Sequence, residues 1–349
     1  MARSTRLIQP SARFASAVVL ASFFLFAVAA TAQQTVPPAP GQNPAESGQA
    51  ASTPAPQPSA PTPHTVPVFP KPNPANFTAA SPSTEEVNAF LQSTLGWDSN
   101  RIWQVEAILK TQVPGISKVI VFINDKSGKQ KPGVVQFFTL PDGKHVIANN
   151  NIMPFGEHPF ADNRAVLQSR ANGPYRGPAA KDLELVEFAD LDCPHCKQVQ
   201  ANMDKLAVDF PKAHIVFQLL PSERVHPQSK LAAEYGVCVA KLGGSDAFFT
   251  FASAVYDAQE GLSTPDGATM TLNSAATKAG LDPSKVGACA AQPATEESVK
   301  ASEKLAEDLQ VNETPTLMIN GRSILIGGVP YDILKQVVAY QAKEDGVAQ

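Results

Sequence analysis

Residues 183–196 read LELVEFADLDCPHC, and this stretch decides the fold. Leu183 to Leu191 is an apolar run interrupted by Glu187, which predicts a buried strand. The strand leads directly into Cys193-Pro194-His195-Cys196. Behind this motif an apolar stripe recurs at helical spacing, formed by Val199, Met203, Leu206 and Phe210. The pattern predicts a strand, a cysteine pair at a helix start, and a helix of about four turns.

A Cys-x-x-Cys pair at a helix start has a specific chemistry. The helix dipole and the unpaired amides of the first turn stabilise a thiolate at Cys193, whose free pKa is about 8.5. Pro194 suits the first turn because no hydrogen bond is needed from its nitrogen. His195 can add positive charge or a hydrogen bond near the thiolate. A stabilised thiolate makes the disulfide with Cys196 a stronger oxidant.

Two structural alternatives compete with a redox centre. A zinc site needs a second close pair of ligands, but Cys238 and Cys289 are isolated from each other by 51 positions. A purely structural disulfide within the motif closes too short a loop to stabilise a fold much. The redox interpretation is therefore favoured, and no metal and no cofactor are predicted.

The remaining elements follow the motif in a thioredoxin-type order. His214 to Leu220 is the next strand, and residues 228–309 carry repeated helical patterns. Thr316 to Ile319 and Ser323 to Ile326 are strands joined by an Asn-Gly turn. A final helix begins at about Tyr331. The predicted fold class is α/β, a thioredoxin fold over residues 180–345 with a helical insertion.

Thr314-Pro315 directly precedes a predicted strand, where proline is normally unwelcome. A cis bond between the two residues would resolve this and place backbone polar groups opposite the Cys193 sulfur. The alternative is a trans proline at a strand edge.

Carboxylates flank the cysteine motif. Glu187 lies in a strand whose other residues indicate burial, so it needs a partner or a raised pKa. Lys212 is the predicted partner, and the pair could relay protons to and from Cys196. The alternative is that Glu187 points outward from an edge strand. Asp190 and Asp192 are expected to be solvated loop acids.

A smaller domain is predicted ahead of the motif, over residues 85–172. Apolar residues at helical spacing follow a Ser83/Thr84 cap, and four strands with turns between them come next. The strands span Ile102 to Leu109, Lys118 to Asn124, Val134 to Thr139 and Lys144 to Ala148. We expect a small α+β domain of cystatin-like type, then a connecting helix and a hinge at 173–178.

The amino-terminal quarter has no folding pattern. Residues 1–32 combine three arginines, an apolar run and an Ala-Thr-Ala site, which predicts a cleaved signal peptide. An uncleaved membrane anchor is the alternative. Residues 33–84 hold 14 of the 31 prolines and are predicted to be a linker. The net charge of −4 and the lack of a basic patch argue against nucleic acid as a partner.

Residues 180–345 resemble the DsbA-like branch of bacterial envelope disulfide oxidoreductases. The resemblance is carried by Glu187-Phe188, the Cys-Pro-His-Cys motif, Lys212 to Ile215, the helical insertion and Thr314-Pro315. It implies that Cys193 is the nucleophile, Cys196 the resolving thiol and Pro315 the cis-proline of a peptide-binding loop. It also implies exported cysteine-containing proteins as substrates, a membrane redox partner, and a periplasmic or envelope location.

The smaller domain is similar to the dimerisation domain of the isomerases DsbC and DsbG. The similarity lies in residues 87–95, 112–118 and 138–147. It implies a possible homodimer with two redox centres across a cleft. An isomerase-like domain therefore precedes an oxidase-like dipeptide, so oxidase, isomerase or reductase, and holdase chaperone all stay open.

Cys238 and Cys289 both lie in apolar helical contexts within the insertion. In an oxidising compartment a second, structural disulfide is favoured over two inert buried thiols.

Overall fold

This computed structural model describes residues 69–347. They fold into two five-stranded sheets with their helices. The predicted signal peptide and the linker up to residue 68 lie outside the described residues. Within residues 69–347, no helix is long and apolar enough to cross a membrane.

The first helix, α1 (Thr84–Leu95), begins at a capping box. The Glu86 main-chain N–H donates to the Ser83 hydroxyl, and the Ser83 N–H donates to the Glu86 carboxylate over 2.7 Å. The helix buries Val87, Phe90, Leu91 and Leu95, which confirms the predicted helix.

The first sheet is antiparallel, and its strands lie in sequence order. Its strands are β1 (Arg101–Lys110), β2 (Ser117–Asp125), β3 (Gly133–Thr139), β4 (His145–Ala148) and β5 (Asn151–Pro154). The first four confirm the predicted strands. The sequence pattern does not reveal β5, which follows a tight turn in which Asn149 and Asn150 both have positive φ.

The end of the predicted linker is attached to this sheet. A 3₁₀ turn spans Pro74–Asn76, and the main-chain N–H groups of Thr78 and Ala79 donate to the Ile108 carbonyl. Thr78 and Ala79 lie about 30 residues before Ile108, so the local composition of the proline-rich segment does not reveal these bonds to β1.

The second sheet has the order β10-β9-β7-β8-β6. Its strands are β6 (Tyr175–Arg176), β7 (Glu184–Ala189), β8 (His214–Leu219), β9 (Thr316–Ile319) and β10 (Arg322–Leu325). The central strand β7 is parallel to β8 and antiparallel to β9. The short edge strand β6 lies in the segment that was predicted to be a hinge.

Helices cover both faces of the second sheet. On one face α3 (Pro194–Asp209) and α8 (Tyr331–Glu344) pack over Leu185 and Leu317. On the other face α2 (Ala161–Arg170) packs over strand residues that include Phe188. Alternate residues of β7 therefore face opposite layers.

The helical insertion lies between β8 and β9. It consists of α4 (Ser229–Asp257), α5 (Pro265–Lys278), α6 (Pro283–Ala290) and α7 (Pro293–Asp308). Its apolar cluster includes the side chains of Cys193 and Cys196, so the insertion shields the sulfurs. The fold is α/β, a thioredoxin fold with a helical insertion, as predicted.

Arg322 of β10 connects the second sheet to α1. Its guanidinium donates to the main-chain carbonyls of Ser93 and Thr94, and its Nε donates to Gln341 over 2.8 Å. The side chain is buried, which lowers the Arg322 pKa to about 10. The arginine thus satisfies carbonyls at the end of α1 that have no partner within the helix.

Candidate redox site

The cysteine motif lies where β7 ends and α3 begins. Cys193 is the N-cap residue of α3, in extended backbone conformation, and Pro194 is the first helical residue. Pro194 and His195 are exposed, whereas Cys193 is 4% exposed and Cys196 is fully buried. The motif therefore presents Cys193 near the surface and keeps Cys196 one turn inside.

Both cysteines are free thiols in this structure. The Cys193 Sγ lies 3.9 Å from the Thr314 carbonyl oxygen, and the Thr314-Pro315 bond is cis, as predicted. The Asp190 main-chain N–H lies 3.5 Å from the Cys196 Sγ. Residues that are 121 positions apart in sequence thus meet at one sulfur atom.

The two thiols differ strongly in acidity. Hydrogen bonding from the Cys196 thiol lowers the Cys193 pKa to about 5, helped by Thr314 and the main-chain amides of Cys196 and His195, while burial opposes the shift. Burial raises the Cys196 pKa, and the nearby Cys193 raises it further. At neutral pH the centre therefore holds a thiolate on Cys193 and a proton on Cys196.

His195 contributes to this site mainly through its backbone. Its main-chain N–H stabilises the Cys193 thiolate, whereas its imidazole Nδ1 lies 3.4 Å from the Gln198 carboxamide oxygen. The amides of the first helical turn, rather than the imidazole, add to the hydrogen bond that the Cys196 thiol makes to the sulfur.

Glu187 is buried in β7, at 3% exposure, as the sequence predicts. Burial raises the pKa of its carboxyl to about 7, and a hydrogen bond from Gln200 opposes that shift. The Gln200 Nε2 donates to Glu187 Oε1 over 2.7 Å and to the Cys196 carbonyl over 3.1 Å. Gln200 thus connects the acid to the buried cysteine.

The predicted pairing of Glu187 with Lys212 is wrong. The parallel register places Glu187 beside Phe217, while Lys212 precedes the first strand residue, His214. Five residues at about 3.3 Å each separate Lys212 from the level of Glu187. Gln200 reaches the carboxylate because α3 covers the face of β7 to which Glu187 points.

The prediction that Asp190 is a solvated loop acid is also wrong. Asp190 is 1% exposed, and burial raises its pKa. The His226 Nδ1 lies 2.9 Å from its carboxylate, and the Ser222 N–H donates to the same oxygen over 3.1 Å. Asp192 is half-buried, and burial raises its pKa to about 6.

The insertion supplies two further contacts to the loop before the motif. The Tyr256 hydroxyl donates to the Asp190 carbonyl over 3.3 Å, and the Gln259 carboxamide donates to the Leu191 carbonyl over 3.0 Å. The sequence pattern does not reveal three site residues, Gln200, Tyr256 and His226. Gln200 was within reach, because it lies one helical turn after Cys196 on the helix that the motif begins.

The other two cysteines are joined. Cys238 of α4 and Cys289 of α6 form a disulfide, and the Thr295 hydroxyl lies 3.5 Å from the Cys238 sulfur. Among the residues that the structure describes, no group of three or more His, Cys, Asp or Glu side chains could hold a metal ion.

Fold and site define a class: a thioredoxin-fold protein with a Cys-x-x-Cys dithiol at the start of the helix that follows the central strand. Residues 169–337 match the family model described as Thioredoxin. That segment covers a little under half of the chain.

Curated relatives share the same region. The Na(+)/H(+) antiporter NhaA 3 of Salinispora tropica is 29% identical over 147 residues, 42% of this chain and 21% of that protein. The Na(+)/H(+) antiporter NhaA 1 of Mycolicibacterium vanbaalenii is 28% identical over 153 residues, 42% of this chain and 23% of that protein. The chain thus spans about a fifth of the length of these relatives.

Solved structures are similar at a lower level. A periplasmic thioredoxin-like protein from Salmonella enterica serovar Typhimurium is 24% identical with a TM-score of 0.42, covering 52% of this chain and 96% of that one. A thioredoxin-like oxidoreductase from Silicibacter pomeroyi DSS-3 is 23% identical with a TM-score of 0.43, covering 52% and 98%.

Proposed function

We propose that this protein is a thiol-disulfide oxidoreductase that forms or reshuffles disulfides in exported proteins through Cys193 and Cys196. One observation carries the proposal: Cys193 lies at the N-cap of α3, with its sulfur 3.9 Å from the carbonyl before the cis-proline, while Cys196 is buried one turn inside. This arrangement lowers the pKa of Cys193 and raises that of Cys196. The thiolate is the nucleophile and the better leaving group in disulfide exchange.

The proposed exchange begins with the Cys193–Cys196 disulfide. A substrate thiolate attacks the Cys193 sulfur, a mixed disulfide forms, and Cys196 leaves as a thiolate that takes up a proton. A second substrate thiolate attacks the substrate sulfur of the mixed disulfide, and Cys193 leaves as a thiolate. The substrate loses two electrons and the centre gains them. A membrane disulfide donor would reoxidise the centre.

Two neighbours have proposed roles in these steps. The Thr314 carbonyl, before the cis-proline, faces Cys193 and can accept a hydrogen bond from the main chain of an extended substrate. Glu187, with a pKa of about 7, can hold or release the proton that Cys196 exchanges when the disulfide opens and closes.

The acidic Cys193 favours the oxidase direction, because a stable thiolate makes the disulfide a stronger oxidant. The second candidate is a disulfide isomerase or reductase with holdase activity. It is favoured by the α+β sheet ahead of the redox fold, in the region that resembles the DsbC and DsbG dimerisation domain. On this proposal two copies pair through that sheet, and the predicted signal peptide directs the chain to the periplasm or envelope.

Refolding of reduced ribonuclease tests the proposal. We expect the mature chain to restore ribonuclease activity and a Cys193→Ser variant to lose the effect, while Cys238→Ala/Cys289→Ala, lacking the other pair, keeps it. Equal activity of the wild type and Cys193→Ser would leave a holdase as the better account. Scrambled ribonuclease separates the directions, since only an isomerase rescues it. Light scattering on residues 33–349 tests the dimer.

A further inference from the structure

A second acid-base pair lies directly beside the dithiol. His226 Nδ1 is 2.9 Å from Asp190 Oδ2, and the imidazole donates when the carboxyl is ionised, because an ionised carboxylate can only accept. The Ser222 N–H donates to the same oxygen, and the Asp192 N–H donates to the other over 2.9 Å. Asp190 is buried, so these three donors replace the water that its charge would otherwise bind.

The main chain of Asp190 contacts both cysteines. Its N–H lies 3.5 Å from the Cys196 sulfur, and its carbonyl accepts the Cys193 N–H over 3.1 Å. The same carbonyl accepts the Tyr256 hydroxyl. Asp190 therefore contacts His226 through its side chain and the start of α3 through its main chain.

His226 is held in place but remains reachable by protons. The main-chain N–H of His226 donates to the Ser222 carbonyl over 2.8 Å, and the main-chain carbonyl of His226 accepts the Ser229 N–H over 3.0 Å. The side chain is 19% exposed. With Nδ1 on the carboxylate, Nε2 is the ring nitrogen at which the imidazole can gain or lose its second proton.

The ionisable groups around this pair come from four elements. The loop before α3 provides Asp190 and Asp192, and β7 provides Glu187. The insertion provides Tyr256. Burial raises the pKa of its hydroxyl, and the charges of both cysteines, Glu187 and Asp190 raise it further. The loop of His226 also carries Glu223 and Arg224, both exposed.

The electrostatic influence of His226 extends beyond Asp190. Its positive charge lowers the pKa values of both Asp190 and Asp192, opposing their burial. Asp192 in turn lies close enough to Cys193 for the two charges to interact.

We propose that Asp190 and His226 are a positioning pair that makes the ionisation of Cys193 depend on a proton at His226. With His226 charged, the negative charge of Asp190 is offset, and the thiolate forms readily. With His226 neutral, the charges on Asp190 and Asp192 oppose a third negative charge on the sulfur. The disulfide then becomes a weaker oxidant as His226 loses its proton. Only this catalytic consequence rests on the proposed function.

A double-mutant cycle tests the pair, with the reduced full chain and the ultraviolet absorbance of the thiolate as the readout. His226→Asn keeps an amide donor where Nδ1 lies and removes the charge. We expect it to raise the Cys193 midpoint by about one pH unit, which is about tenfold less thiolate below the midpoint. In an Asp190→Asn background the same change should have little effect.

His145 provides the matched control, because its Nδ1 lies 2.6 Å from Asp142 in an exposed pair away from the dithiol. His145→Asn should leave the Cys193 midpoint unchanged. An unchanged midpoint in folded His226→Asn, or an equal shift in the Asp190→Asn background, overturns the inference. If the coupled shift is found but the wild-type chain does not restore activity to reduced ribonuclease, the inference stands and the proposed function is refuted.

Discussion

Replacing Glu187 with glutamine should stabilise the reduced protein at neutral pH and have a much smaller effect in acid. The buried carboxyl has a pKa of about 7, against a usual value of 4.5. The folded state therefore keeps a proton that the unfolded chain releases above pH 4.5, so the free energy of unfolding falls as the pH rises from 4.5 to 7. A shift of this size corresponds to roughly 3 kcal/mol.

Glutamine cannot ionise, so Glu187→Gln lacks this loss. The substitution also lowers the free energy of unfolding by about 1 kcal/mol, because the new amide group has to find an acceptor. That decrease is the same at every pH. The difference in unfolding free energy between variant and wild type should therefore rise by about 3 kcal/mol across the titration of the carboxyl and then level off.

Urea denaturation of both reduced proteins measures this difference, from below pH 4.5 to above pH 7. Gln200→Met gives a second test: it removes the hydrogen bond that lowers the Glu187 pKa, so the fall in stability should extend to higher pH. Gln198→Met, at an exposed position of α3, is the matched control. A difference between Glu187→Gln and wild type that does not change with pH would show that the Glu187 pKa is not raised in the folded protein.

Three further predictions concern other parts of the molecule. Alkylation of Cys193 by iodoacetamide should rise with pH through a midpoint of about 5, and a midpoint near that of a free thiol contradicts the site description. Replacing both Cys238 and Cys289 with alanine should lower the urea unfolding free energy by about 4 kcal/mol, because the disulfide closes a long loop; a loss below about 1 kcal/mol counts against it. Arg322→Met should cost about 3 kcal/mol in the same assay, since two buried carbonyls lose their donor. The exposed Lys335→Met should cost under about 1 kcal/mol.

Most elements of the fold were predictable because their signals are local. The α1 cap, the strand before the motif and the helix behind it all follow from hydrophobic period and capping within a few residues. The elements that the sequence missed are short. β5 has four residues and β6 has two, too few for a period to appear.

In the candidate site, too, some features follow from local sequence and others depend on long-range packing. The burial of Glu187 followed from its strand, but its hydrogen-bond donor did not. A lysine was expected because opposite charges attract, whereas the register of β7 and β8 sets Lys212 apart and the covering helix brings Gln200 to the carboxylate. The burial of Asp190 does not follow from its local sequence, because a loop and a helix far along the chain cover it.

Local sequence patterns predict the dithiol, the helix start that acidifies its first cysteine, and the elements of a thioredoxin fold in their order. Each depends on neighbours within about one turn of helix or one strand. Long-range packing sets which further side chains surround the sulfurs. His226 and Tyr256 reach the motif from a separate loop and helix, and the packing of the insertion brings them there, whereas the place of Thr314 before Pro315 already predicts its position.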